Sequence, residues 1–275
     1  MAEDLLQRAD QLAARVAQEL EGVLPLLSAE QAKRPNTIRD RAEFDIAATR
    51  VGRMLQLLQG AQSLAHQHFG TAIAPVTRAM WETWFDLAWM LHDPAKREEM
   101  AEDFWTAGVA QQLGVIRTYE ARDGYLVNDL KKSLAELEAD VMNDPRLYKT
   151  WLTKKAQLKV NLHVVKWARL SYSDRAKQMG PMYERAYDID YTLLSVAAHG
   201  EGMELPRLIG QGDGVIVIAV GEGEDAAIAL YVESCGIALT MVYEIQRAYA
   251  GSHSVVVERL KDDIDALRKE CKTAI

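Results

Sequence analysis

The stretch Thr77–Asp93, TRAMWETWFDLAWMLHD, dictates much of what this chain can become. Its apolar residues Met80, Trp81, Trp84, Phe85, Leu87, Ala88 and Leu91 cover most of the circumference of a helix, and a helix apolar nearly all round has to be buried. Other helices must therefore enclose it. The material is present: 275 residues, 49% hydrophobic and 26% charged, suffice for a sizeable core without disulfide or metal staples.

Helical spacing recurs on both sides of that segment. Leu5, Ala9, Leu12, Val16, Leu20 and Val23 mark an N-terminal helix that Pro25 is expected to end. A long helix is expected from about Ile38 to His66, with Phe44, Val51, Met54, Leu55, Leu58 and Ala61 inward, separated from the central helix by Gly70 and Pro75. Asp93-Pro94 closes the central helix and opens another toward Arg122. A shorter one follows to Met142, and then a basic helix from Lys154 to Arg169. Ser171–Asp174 reads as the cap of a short helix ending at Gly180, and Pro181 starts the next, which is expected to run unbroken to Gly200. Val215–Val220, β-branched and set among glycines, predicts a small β-hairpin or extended loop near residues 205–220. Helical pattern resumes from Asp225 to Tyr249, breaks at Gly251-Ser252 and closes with a charged helix. The expected fold class is all-α: a bundle of about eight or nine helices in a single domain, 1–275, with an N-terminal pair (1–68) packed on a core (70–250).

Two polar stripes interrupt this apolar pattern. Arg78, Glu82 and Asp86 fall four residues apart on the central helix, and an Arg and a Glu so spaced can pair. Tyr187, Tyr191, Ser195 and His199 recur every four residues beyond Pro181, beside an apolar face of Ile189, Leu193, Val196 and Ala197. Buried polar groups need partners, so the two stripes are expected to face each other. As a site, Arg78 would hold an anionic group, Glu82 would orient Arg78 or a histidine, and His199 would move a proton near neutral pH with Tyr191 and Ser195 positioning it. As scaffold, the same residues form a satisfied network that fixes helix register.

The net charge of −8 argues against wholesale coating of nucleic acid, yet Arg146–Arg185 holds ten basic residues against two acidic ones. Lys155, Lys159, Lys166 and Arg169 in that segment are candidate phosphate contacts, which would make a nucleic acid or nucleotide the partner; charge asymmetry also permits a homo-oligomer. His66 and His68 diverge by about 200° around a helix and cannot share a metal ion. No Glu-x-x-His or His-x-x-x-His pair, Gly-x-Ser-x-Gly, Walker loop or dinucleotide fingerprint occurs, so no metal and no cofactor is expected. Two distant cysteines, Cys235 and Cys271, suggest a reducing compartment. The acidic, charged N-terminus does not read as a secretory leader, and no unbroken apolar run reaches membrane-spanning length; a cytoplasmic location without membrane contact is expected.

Three features together, the Arg78-x-x-x-Glu82 helix ending in MLHDP, the basic WARLSYSDRAKQMG segment, and Tyr183–His199 with Tyr-x-x-x-Ser-x-x-x-His, resemble a bacterial family of helical proteins classed as a domain of unknown function, over roughly residues 70–235. That resemblance implies an all-helical fold and no established activity. A more distant likeness is to the higher-eukaryote-and-prokaryote nucleotide-binding (HEPN) superfamily, which implies metal-independent ribonuclease chemistry through an Arg-x(4–6)-His motif. Arg247 and His253 have that spacing, but Ala248 replaces the usual polar neighbour and Gly251-Ser252 interrupts the helix. Two readings follow: an uncharacterised interaction or binding module, or a ribonuclease-like or nucleotide-acting enzyme using His199 and Arg78.

Overall fold

A computed structural model describes residues 2–34, 38–108, 170–192, 194 and 224–274, with isolated positions between 132 and 152. The described residues are helical, apart from short turns and links. The expected hairpin near 205–220 and the basic helix with Lys155, Lys159, Lys166 and Arg169 lie outside them. The elements are α1 (Ala2–Gln31), α2 (Ile38–His66), α3 (Gly70–His92), α4 (Tyr172–Met179), α5 (Pro181–Ala186), a π-helical turn (Tyr187–Tyr191), α6 (Glu224–Ala250) and α7 (Val255–Ala274). Residues 97–108 are helical as well.

The chain falls into two compact units. The smaller comprises Gln31–Ile46 and Asp93–Ser171; in it Glu43, 1% exposed, receives Arg34 Nη1 at 3.3 Å, and the Arg34 guanidinium lies over the Phe44 ring. The larger comprises Met1–Glu30, Ala47–His92 and Tyr172–Ile275.

Within the larger unit α3 and α6 pack along each other, and α7 packs on α6. A buried hydroxyl pair, Thr77 and Ser234 at 2.9 Å, joins the first two: one hydroxyl donates to the other, and the accepting one gives its own proton to a carbonyl one turn back in its helix. α1 buries its apolar stripe and meets α2, α6 and α7 through polar groups. Asp10 accepts from Gln62 and Tyr231 and meets His66 at 3.0 Å, while Arg8 grips Glu270 with both terminal nitrogens at 2.6 and 2.7 Å. The exposed Arg8–Glu270 pair contributes little to stability but fixes which faces meet.

Four expectations need correction. α1 does not stop at Pro25; it continues to Gln31 with Leu27 2% exposed, so burial of one more apolar residue outweighs the hydrogen bond proline forgoes. α3 begins at Gly70 and carries Pro75 inside its second turn; the proline forgoes one ladder hydrogen bond there, which burial of Ile73 and Ala74 on the same stretch offsets. The chain turns before it at His68, whose φ of 58° is left-handed. The helix after Pro181 is not uniform: α-helix gives way at Tyr187 to a π-helical turn through Tyr191, and Thr192 Oγ1 donates to the Tyr187 carbonyl five residues back. Finally, unbroken apolar runs understate α6. By length and composition this helix is long and apolar enough to cross a membrane, although 83% of its most apolar stretch is buried against protein in the structure. Its carboxylates Glu233 and Glu244 are buried and partnered.

Trp81 and Phe85 stack at 4.5 Å between ring centres, and Phe85 is fully buried, as α3's circumference demanded. Replacing Phe85 with Ala is expected to cost about 3–5 kcal/mol in urea unfolding, whereas Phe69→Ala, at a half-exposed ring, should stay within about 0.5 kcal/mol. Equal effects would mean that α3 is not central.

Candidate functional site

The polar edge of α3 organises the site. Arg78, Glu82 and Asp86 lie along it, and each meets a residue from another element of the same unit. Arg78 Nε donates to Glu82 Oε1 at 3.2 Å and Arg78 Nη2 to the Tyr191 hydroxyl at 3.2 Å, while that hydroxyl donates to Glu82 Oε1 at 3.2 Å. The three groups close a triangle. The Arg78 guanidinium also lies over the Tyr191 ring, 5.3 Å from its centre. Arg78 and Glu82 keep 21% and 35% of their side chains exposed, so this corner is open to solvent. Burial raises the Tyr191 hydroxyl above its ordinary pKa, and it stays a proton donor.

Two turns deeper, Asp86 takes two arginines. Arg50 of α2 reaches Oδ2 at 3.1 Å and Arg175 of α4 reaches Oδ1 at 3.0 Å; the Tyr172 hydroxyl donates to Oδ1 at 3.3 Å. Asp86 is 8% and Arg175 4% exposed, so neither charge has much water to fall back on. The Arg175 guanidinium lies 4.2 Å from the centre of the Tyr172 ring. Burial lowers the Arg50 pKa, only partly opposed by the Asp86 charge.

Aromatic rings join these polar corners. Trp81 touches Tyr172, Tyr187 and Tyr191, with Tyr191 nearest at 4.6 Å, and Tyr187 stacks on Tyr191. The π-helical turn supplies Tyr187 and Tyr191 together on this layer. On the other side of Trp84, Tyr183 stacks and donates to Glu244 Oε1, and Arg247 pairs with Glu244 at 2.6 Å. Burial raises the pKa of both Glu244 and Tyr183.

Of the expected site residues, Arg78, Glu82 and Tyr191 meet. Ser195 and His199 lie outside the described residues, as do Lys155, Lys159, Lys166 and Arg169. The Arg247/His253 pair does not form a site: Arg247 is occupied by Glu244 and the Tyr183 hydroxyl, Gly251 at φ 73° ends α6 between them, and His253 bonds Glu258. That geometry lends no support to the HEPN likeness. Among the described residues no cluster of His, Cys, Asp or Glu could hold a metal ion. Sequence reasoning missed Arg50, Arg175 and Tyr172. The signal was there, since a carboxylate at position 86 of so apolar a helix requires cationic partners, but periodicity does not say which ones.

It also missed Asp190. This residue is on the π-helical turn; burial comes first and the Glu233 carboxylate second in pushing its pKa up to about 7, with Arg268 and Arg185 opposing.

A family model described as "Family of unknown function (DUF5677)" matches residues 44–216. No curated protein and no solved structure matches the chain.

The Asp190 environment sets a pH dependence. The folded protein keeps this proton up to about pH 7, while the unfolded chain releases it near 3.8, so the folded state binds more protons between those values. Stability contributed here falls as pH rises from about 4 to 7 and stays low above. Asp190→Asn is expected to raise stability at pH 8 by roughly 1–3 kcal/mol and to flatten that part of the profile in urea titrations. A variant less stable than the parent at pH 8 would contradict the assigned environment.

Proposed function

The chain belongs to the family of unknown function DUF5677, and from that premise we propose that it is a binding module whose site is the open corner of the α3 network, taking a ligand with a phosphate group. The observation that carries this reading is the Arg78–Glu82–Tyr191 triangle. A guanidinium held from two sides is pre-organised, so little side-chain entropy is lost when an anion docks against it. Tyr187 and Tyr191, stacked beside it, offer ring surface to a planar base. The basic stretch Arg146–Arg185, which includes Lys155, Lys159, Lys166 and Arg169, suits the same partner by charge and would draw it in from solution. Pairing of this stretch with the acidic remainder of a second copy is a further consequence of the charge distribution. A cytoplasmic setting fits such a ligand.

The enzymatic alternative uses the same arginine. There Arg78 stabilises charge developing on phosphorus, His199 acts as general acid or base, Ser195 and Tyr191 orient it, and RNA is cleaved without a metal ion. What supports it is that Tyr191, eight residues before His199 in sequence, bonds Arg78 directly.

Titration of the full chain with AMP and with a short fluorescein-labelled single-stranded RNA tests both. Arg78→Ala is expected to weaken binding about tenfold or more, Tyr191→Phe by a few-fold, and added salt should weaken the parent. Unchanged affinity in Arg78→Ala, with the fold intact by circular dichroism, would overturn the binding reading. RNA shortened by the parent but not by His199→Ala would replace it with the enzymatic one.

A further inference from the structure

The Glu82 carboxylate is only half used. Arg78 Nε and the Tyr191 hydroxyl both donate to Oε1, each at 3.2 Å, and the second oxygen, Oε2, has no hydrogen-bond partner among the described residues. It is not enclosed either: the Glu82 side chain is 35% exposed, and Oε2 is not one of the buried polar atoms that lack a partner. The Tyr191 hydroxyl, in contrast, gives its one proton to Oε1 while accepting Arg78 Nη2 at 3.2 Å. The corner thus offers a ligand an open acceptor beside the guanidinium. A carboxylate has no proton to give and repels a phosphate oxygen, so whatever meets Oε2 is a hydrogen-bond donor from another part of the ligand.

The aromatic rings say which part of a nucleotide that is. The Tyr191 ring already has the Arg78 guanidinium at 5.3 Å, Trp81 at 4.6 Å and Tyr187 at 5.4 Å from its centre. Tyr187, half-buried, carries the stack beyond Tyr191, and a base adds to it there. With the base on Tyr187 and the phosphate on Arg78, the sugar that joins them lies alongside the Tyr191 hydroxyl and Glu82, while the amino groups of the base stay at the far end. The 2′-hydroxyl is the sugar donor that a free ribonucleotide and an internal residue of RNA share. Charge permits the arrangement: along this edge Arg78, Arg50 and Arg175 meet Glu82 and Asp86, which leaves one positive charge in excess for a phosphate.

Resting on the nucleotide-binding reading above, we propose that Glu82 makes this site select ribonucleotides: Oε2 accepts a hydrogen bond from the 2′-hydroxyl of the ligand, and 2′-deoxy ligands, which leave that oxygen to water, bind less tightly. The preference is moderate, because the corner is open and water replaces part of what the missing hydroxyl supplied.

Calorimetric titrations of the full chain with AMP, 2′-deoxy-AMP and 2′-fluoro-2′-deoxy-AMP test the proposal without any substitution. AMP is expected to bind about tenfold tighter than deoxy-AMP. The fluoro analogue fills the place of the hydroxyl without a proton to donate, so it should bind no better than deoxy-AMP. Glu82→Ala, with the fold intact by circular dichroism, should bring the ratio of the AMP and deoxy-AMP affinities close to one, whatever change the two affinities share. If neither AMP nor deoxy-AMP binds the parent, the nucleotide reading itself fails and the selector with it. If both bind equally well, or the preference survives Glu82→Ala, the nucleotide reading stands and the selector alone is overturned.

Discussion

The carboxylate of Asp86 is the constraint from which the rest of the site follows. A charge buried on an apolar helix is tolerated only with close cationic partners and hydrogen bonds, and removing one partner strands the others. Its partners come from two other elements, Arg50 on α2 and Arg175 on α4, so one carboxylate specifies how three helices meet. Tyr172, a turn before Arg175 on α4, donates to the same carboxylate and lays its ring against Phe85 and Tyr191. α4 leads through Gly180, at φ 109°, directly into α5 and the π-helical turn. Fixing α4 therefore fixes where Tyr191 arrives, which is on Arg78.

α6 shows the same economy of polar groups in a greasier setting. It is long and apolar enough that, by composition, lipid would suit it, yet Ser234, Glu233 and Glu244 each find a protein partner: Thr77, Arg268, and Tyr183 with Arg247. Apolar burial holds α6 against α3 and α7, and these pairs choose the register among the many that burial alone would allow. Gly236 belongs to that choice, since only a residue without a side chain lets the Arg268 guanidinium rest on the helix.

Much of this was legible in the sequence. The helices α2, α6 and α7 stand where periodicity put them, and the Arg78–Glu82 pair and its meeting with Tyr191 follow from spacing of three and four residues on segments too apolar to be exposed. What was not legible has two physical causes. Prolines at 25 and 75 were read as breaks, but a break is a local preference of a few kcal/mol that burial of Leu27 and of Ile73 and Ala74 overrides. Partners across the chain, such as Arg50 and Arg175 for Asp86 or Arg268 for Glu233, are tertiary facts on which periodicity is silent. The π-helical turn is a local departure that periodicity does not foresee: nothing in YDIDY announces it, and within it four-residue spacing ceases to define a face.

The central claim is that the Asp86 and Arg78 clusters act as one network through Tyr172. The most direct measurement is a double-mutant cycle on unfolding free energy with Asp86→Asn and Tyr191→Phe, two sites that share Tyr172 as a neighbour. A single network predicts a coupling above about 0.5 kcal/mol; effects that add to within about 0.3 kcal/mol would contradict it and leave two independent clusters.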